Sequence, residues 1–164
     1  MKINSKKILI ISHCFWPEIQ PINEVVKNLS LSGNIVHVLT GKPNYPYGKI
    51  YSGYSMLKFQ TEIHESGYKI FRVPIIPRFN NSHISIFLNY FSFIFFAVIF
   101  SIFNFKKKDS YNSILVFATS PVIQAIVGIF LKIKLKIKLV LWVQDLRPSS
   151  LYSTGYIKNK FILK

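Results

Sequence analysis

The sequence predicts an α/β fold: a parallel, Rossmann-like sheet flanked by helices, formed by one domain over residues 1–164. Three observations carry this expectation. Short apolar, β-branched runs recur at Ile8-Leu9-Ile10-Ile11, Ile35 to Thr40, Tyr68 to Pro74, Ser113 to Phe117 and Leu139 to Val143, each short enough for a fully buried strand. Helical patterns separate several of them, as crossovers between parallel strands require. Half of the 164 residues are apolar, so one domain of this length can bury a sizeable core.

The elements follow in order. The run from Lys7 to Ser12 is bounded by charge and by Pro17, and its four aliphatic residues are too few for the core of a signal peptide, so it reads as a strand. Ile22, Val25, Val26 and Leu29 recur at spacings of three and four on one helical face, with Gly33 as the stop. Ile35 to Thr40 is the second strand. From Gly41 to Gly53 all periodicity breaks, and Pro43-Asn44-Tyr45-Pro46-Tyr47-Gly48 reads as a long loop. Ser120-Pro121 resembles a helix start, with Val122 to Leu131 as the helix. The alternation Lys132-Ile-Lys-Leu-Lys-Ile-Lys138 reads as the solvated edge of the last strand, its lysines deterring edge pairing or facing anionic lipid.

The stretch from Ile84 to Phe105 carries no charge and eight phenylalanines. Its length suits a single bilayer span at 84–105, flanked by Lys106, Lys107 and Lys108. It equally suits a core helix whose exposed aromatic face, at Phe91 and Phe95, dips into a membrane surface. Asn89, Ser92, Ser101 and Asn104 interrupt the run, and strands resume beyond it. A span would divide the sheet between two sides of a membrane, so the interfacial helix is the expectation and the span the alternative.

Charge narrows the partners. Twenty-one Lys and Arg face six acids, for a net +15, which suits an anionic membrane, a phosphate-bearing ligand or nucleic acid. No nucleic-acid-binding module accompanies the charge, and nucleic acid is not expected. There is no G-x-G-x-x-G after the first strand, no P-loop, no G-x-S-x-G elbow, and no zinc-ligand spacing among four histidines and one cysteine. No metal is expected. The lone Cys14 allows no internal disulfide, which fits a reducing compartment, and reads as packing.

Parallel sheets bind ligands outside the carboxyl ends of their strands. Three loops should converge there: His13 to Glu18, Pro43 to Gly53, and Gln144 to Ser150. They bring aromatic faces, hydrogen-bonding side chains and two carboxylates, the mixture a carbohydrate site needs. Asp145, at the tip of the apolar run Leu139 to Val143, and Glu18 are the candidate acids. Each has a purely structural alternative, as a helix cap or as a charge at a helix N-terminus. Asn44 and Tyr45 are turn formers as well as candidate ligand contacts.

At these loops the chain resembles the N-terminal domain of bacterial family-4 retaining glycosyltransferases, in the branch that builds O-antigen, capsule and colanic acid and includes N-acetyl-fucosamine transferases. The resemblance rests on Phe15-Trp16-Pro17-Glu18, Thr40-Gly41-Lys42-Pro43-Asn44-Tyr45-Pro46-Tyr47-Gly48, Arg72-Val73-Pro74, Leu88-Asn89-Tyr90-Phe91, Ala118-Thr119-Ser120-Pro121 and Trp142-Val143-Gln144-Asp145-Leu146. It implies the N-terminal half of a GT-B enzyme that transfers a sugar from a nucleotide-sugar donor to a lipid-linked acceptor. Asp145 and Glu18 would then orient or polarise the acceptor hydroxyl, while Trp16, Asn44, Tyr45, Ser120 and Gln144 line the acceptor site. No cofactor is implied. The nucleotide sugar, a co-substrate, would be held mainly by a C-terminal domain that this sequence lacks, so a separately encoded half is an expected partner. The implied location is cytoplasmic, peripheral on the anionic inner face of the membrane. The family usually continues D-L-W-P-E-S, where this chain has Asp145-Leu146-Arg147-Pro148-Ser149-Ser150. The alternative is an inactive truncated remnant, or a membrane-associated binding module without catalysis.

Overall fold

The computed structural model describes residues 5–79, 82–119 and 122–144. Six strands form one sheet: β1 (Lys7–Ser12), β2 (Ile35–Gly41), β3 (Gln60–Ile63), β4 (Lys69–Val73), β5 (Ser113–Ala118) and β6 (Lys138–Val143), in the spatial order β3-β4-β2-β1-β5-β6. Only β3 runs antiparallel, against β4; the other pairs are parallel. The fold is α/β and Rossmann-like.

Helix α1 (Pro21–Leu31) joins β1 to β2, α2 (His83–Asn104) joins β4 to β5, and α3 (Ala125–Leu135) joins β5 to β6. Two cores form on opposite faces of the sheet. Ile22 and Val26 of α1 pack with Ile10, Val36, Val38 and Ile70 on one. Phe93, Ala97 and Phe100 of α2 and Val127, Leu131 and Leu135 of α3 pack with Leu9, Ile11, Leu39 and Val116 on the other. Alternate residues of each strand serve opposite faces, which is why the central strands read as unbroken apolar runs.

Helix α3 lies directly on β5. A Cβ built on Gly128 would sit 2.4 Å from Val116 Cγ2 and 3.1 Å from Leu139 Cδ1. Gly128→Ala is therefore expected to lower unfolding stability by about 1–3 kcal/mol in chemical denaturation, although alanine is the better helix former.

The structure departs from the sequence reading in three places. The strand β3 was not anticipated: only four residues long and half-buried, it has too few apolar positions to stand out. The lysine alternation is not a strand edge over its first half. Residues 132–135 complete α3, where Leu135 continues the buried Val127–Leu131 row, and Lys136 ends the helix in the left-handed region at φ 56°. Lys134 Nζ then donates to the carbonyls of Ser101 (2.6 Å) and Ile102 (2.5 Å) at the C-terminal end of α2, where a cation satisfies orphan acceptors. Finally, the apolar run into Gln144 is an edge strand and not a buried one, with Val140 53% and Leu141 42% exposed.

The polar interruptions of α2 have specific partners. Ser85 Oγ donates to the Arg78 carbonyl (3.0 Å), Asn89 Nδ2 to the Ile76 carbonyl (2.6 Å), and Ser92 Oγ accepts the Ile76 amide (2.9 Å). They bind the β4–α2 connection along the helix. Among the described residues α2 is the one helix long and apolar enough to cross a membrane. Yet β1 pairs with β5, so the strands before and after this helix belong to one sheet.

Candidate functional site

The chain leaves β1 toward β2 and β4 on one side, then returns through α2 to place β5 on the other side of β1. The carboxyl ends of β1 and β5 are thus the topological switch point, where open α/β sheets bind ligands. Gln124 spans it: its Oε1 accepts the His13 amide (2.8 Å), and its Nε2 donates to Thr119 Oγ1 (3.3 Å).

Glu18 organises the neighbouring rim. Its Oε1 accepts the backbone amides of Asn44 (2.7 Å) and Tyr45 (2.6 Å), and its Oε2 accepts that of Phe15 (3.1 Å). One carboxylate therefore ties the loop after β1 to the loop after β2. These are short, charge-assisted bonds of the strong class. Burial pushes the Glu18 pKa up, and the three amides oppose it. The side chain is almost wholly buried, so it presents no free oxygen to a ligand hydroxyl. The geometry makes Glu18 a brace between the two rim loops, a role the expectation of acceptor polarisation did not include.

Around this clamp the loops are stitched at single atoms. Asn44 is fully buried, donates to the Lys42 carbonyl (3.1 Å) and accepts from Asn89 Nδ2 (3.3 Å). Tyr45 is partly exposed at the rim, and Tyr51 Oη donates to its carbonyl (2.7 Å). Gly48, at φ 67°, turns the loop so close to Phe79 that a Cβ would meet its carbonyl oxygen at 2.8 Å. Trp16 stands on the far side of the clamp, half-exposed. Two of the three prolines in these loops follow cis peptide bonds, Trp16–Pro17 and Tyr45–Pro46.

Sequence reasoning missed the group that dominates the electrostatics here. Arg78 Nε donates to Asn89 Oδ1 (3.1 Å) and its Nη2 to Tyr90 Oη (3.1 Å), and the guanidinium lies 5.4 Å from the Tyr45 ring and 5.2 Å from the Tyr90 ring. Among the described residues the only ion pair joins Arg72 to Glu62, so Arg78 has no carboxylate beside it there. His13 lies beneath, stacked on Tyr90 at 4.4 Å and edge-on to Phe93 at 5.1 Å. Its Nε2 is buried without a hydrogen bond. Burial and the Arg78 charge, opposed by Asn89, hold its pKa down at about 3, so the ring is neutral at physiological pH. Cys14 is buried, as expected, with its Sγ 3.3 Å from His13 Nδ1. Burial raises its thiol pKa, the opposite of what a nucleophilic thiolate needs.

A second buried polar cluster holds the opposite end of the rim. Lys42 Nζ donates to Gln60, and burial together with Arg72 lowers its pKa to about 8. Arg72 pairs with Glu62 (2.7 Å), donates to the Trp16 carbonyl (2.6 Å) and lies over the Tyr54 ring. Arg72 falls in a stretch that carries the resemblance, but no sequence signal gave its role or marked Arg78, because their partners are brought in from other elements by the fold.

The structure thus brings Trp16, Glu18, Asn44 and Tyr45 together on one rim. Gln144 is exposed at the end of β6, its amide bonded to the Ala118 carbonyl (3.0 Å). Ser120 and Asp145 lie outside the described residues. Phe91 and Phe95 are 55% and 51% exposed, and Lys106, Lys107 and Lys108 are exposed just beyond α2. An apolar groove of about 210 Å³ is lined by His83, Ile86, Phe87, Tyr90, Phe91 and Ile123, and so includes Tyr90 of the rim and the first of these phenylalanines. Among the described residues no group of three or more His, Cys, Asp or Glu is placed to hold a metal ion. Comparison with known proteins finds no family model that matches the chain and no curated protein similar enough to count as a match.

Proposed function

We propose that this chain is the acceptor-binding half of a glycosyltransferase of bacterial surface-polysaccharide synthesis, and that it recognises a lipid-linked sugar diphosphate at an anionic membrane. The observation that carries the reading is Arg78: a cation at the rim, braced by Asn89 and Tyr90, between two tyrosines and without a carboxylate among the described residues. A phosphate oxygen is the natural counter-charge for such a group. The apolar groove that includes Tyr90 suits the first units of a prenyl chain. Tyr45, exposed at the rim, stands where the sugar would lie, while buried Asn44 holds the loop beneath it. Asp145 follows the last strand and is the group proposed to orient the acceptor hydroxyl, with Glu18 holding the loops in place. The nucleotide-sugar donor and the transfer step itself belong, on this reading, to a second Rossmann-like domain.

Membrane attachment is proposed as peripheral. Exposed Phe91 and Phe95 on α2, exposed Ile126, Ile129 and Ile133 on α3, and the lysines after both helices combine apolar insertion with attraction to anionic lipid. The pairing of β1 with β5 favours this over a span at 84–105.

Flotation of the purified chain with phosphatidylglycerol vesicles, with and without a prenyl-diphosphate-linked N-acetylhexosamine, tests both parts. Anionic vesicles should retain the chain, neutral phosphatidylcholine vesicles should not, and the lipid-linked sugar should strengthen retention. Arg78→Ala should remove that increment, at least tenfold in affinity, and keep the dependence on anionic lipid. An increment that survives in the variant would refute the phosphate role of Arg78. A binding module without turnover is the second reading, favoured by the burial of Glu18. It is supported if the chain binds the acceptor but yields no transfer when paired with a donor domain and nucleotide sugars.

A further inference from the structure

The loop that carries Glu18 also walls a separate cavity. About 360 Å³ of open space beside β3 and β4 is lined by Trp16, Glu62, Ile63, His64, Glu65 and Ile70, a size within the range of small-molecule sites, at its lower end. Its walls are held from behind. The Trp16 amide donates to Asn23 Oδ1 (3.2 Å), and its carbonyl accepts from Arg72. Arg72, itself wholly buried, grips Glu62 through its Nε. The Trp16 ring meets His64 edge-on at 4.9 Å; His64 in turn stacks on Tyr68 at 4.4 Å, nearly parallel, and accepts the Ser66 amide at Nδ1 (3.1 Å). A tryptophan that is 39% exposed while both its backbone polar groups are bonded is a pre-positioned surface.

The lining selects the ligand. In a chain of net charge +15 no lysine or arginine among the described residues lines this cavity, and two of the six acids do. An anion is therefore disfavoured. Glu62 is already matched by Arg72, which leaves Glu65, exposed to solvent, as the lining carboxylate without an ion pair among the described residues and free to accept from hydroxyls. What remains is an aromatic slab facing carboxylate acceptors, which suits a neutral ring with apolar C–H faces and several hydroxyl donors.

We propose that the cleft between Trp16 and β3 is an outer carbohydrate-binding subsite that holds one neutral sugar residue. Its assignment to a more distant residue of the acceptor glycan rests on the transfer reading above; the sugar binding does not. The subsite shares Trp16 and its loop with the Glu18 clamp, so a glycan held there reaches the rim without any movement of the sheet.

The full chain is titrated with glucose, galactose, fucose and N-acetylglucosamine, followed by saturation-transfer NMR on the sugar and by tryptophan fluorescence. At least one should bind with a Kd on the order of millimolar, with contacts strongest on one ring face. Trp16→Ala should abolish the signal, Trp16→Phe should restore part of it, and Glu65→Gln, an exposed position, should weaken it at least tenfold. Glu65→Gln should leave vesicle binding of the prenyl-diphosphate sugar at the wild-type level. Sugar binding without diphosphate binding would sink the transfer reading and leave the subsite standing. The subsite is overturned if none of the four sugars binds, if binding survives Trp16→Ala in a folded variant, or if only a quaternary ammonium such as choline perturbs Trp16.

Discussion

Glu18→Ala is expected to lower unfolding stability by about 3–6 kcal/mol, the largest single-residue effect on the rim. The carboxylate accepts three backbone amides from two loops, and its removal leaves two buried donors and one part-buried donor, each worth roughly 1–3 kcal/mol when unsatisfied and away from water. Water entering the vacated space limits the loss, hence the lower half of that sum. Glu18→Gln should cost less than alanine: its oxygen can keep the Asn44 and Tyr45 amides, while its NH₂ opposes the Phe15 amide, donor against donor. Urea denaturation followed by circular dichroism measures both. Amide exchange should show faster loss of protection at Asn44 and Tyr45 than in the central strands. An alanine variant within about 1 kcal/mol of the parent would mean that the loops are held by other contacts.

Acidification should destabilise the fold through His13. In the folded chain its pKa lies at about 3, against 6.5 for a free histidine. Between these values the unfolded chain binds a proton that the folded chain refuses. The stabilisation is therefore complete above pH 6.5 and is lost as pH falls toward 3. The whole window is worth about 4–5 kcal/mol, of which about 2 should be gone by pH 5. His37, lowered to about 4 mainly by burial, acts with the same sign, discounted because it is only partly buried. Glu18, raised by burial, acts with the opposite sign, since its folded form takes up a proton first. His13→Phe isolates the imidazole. Phenylalanine keeps the stack on Tyr90 and the backbone bond to Gln124, no hydrogen bond is lost at Nε2, and the contact given up is that of Nδ1 with Cys14 Sγ. Urea midpoints at pH 7.5 and pH 5 should fall steeply in the parent and much less in the variant. Equal slopes would assign the acid sensitivity elsewhere.

Both effects arise from pairings that a linear reading could only approach. The loops after β1 and β2 were legible as candidates because Pro, Gly and aromatic residues interrupt periodicity just after buried strands. Their bond through Glu18 was not, because it joins residues 26 and 27 positions apart and depends on β1 lying beside β2 in register. Arg78 sits in a connection with no periodic signal, and acquires its role only when the first turns of α2 bring Asn89 and Tyr90 beneath it. The lysine alternation after residue 131 misled for a local reason. Ile133 and Leu135 fit a period of two as well as they fit the last turn of a helix, and only the buried row Val127–Leu131–Leu135 decides between them.

The apolar runs, their spacing and the helical stretches between them were enough to determine a mostly parallel α/β sheet and the loops that converge at its strand ends. Burial of a β-branched run on both faces has few other solutions. Tertiary structure alone decided which rim groups stay open to solvent and which are consumed in holding the rim. A carboxylate looks the same in sequence whether its oxygens meet solvent or three backbone amides, yet Glu18 is a brace while Glu62 and Glu65 line an open cleft. The difference lies in which chain segments the sheet order sets side by side.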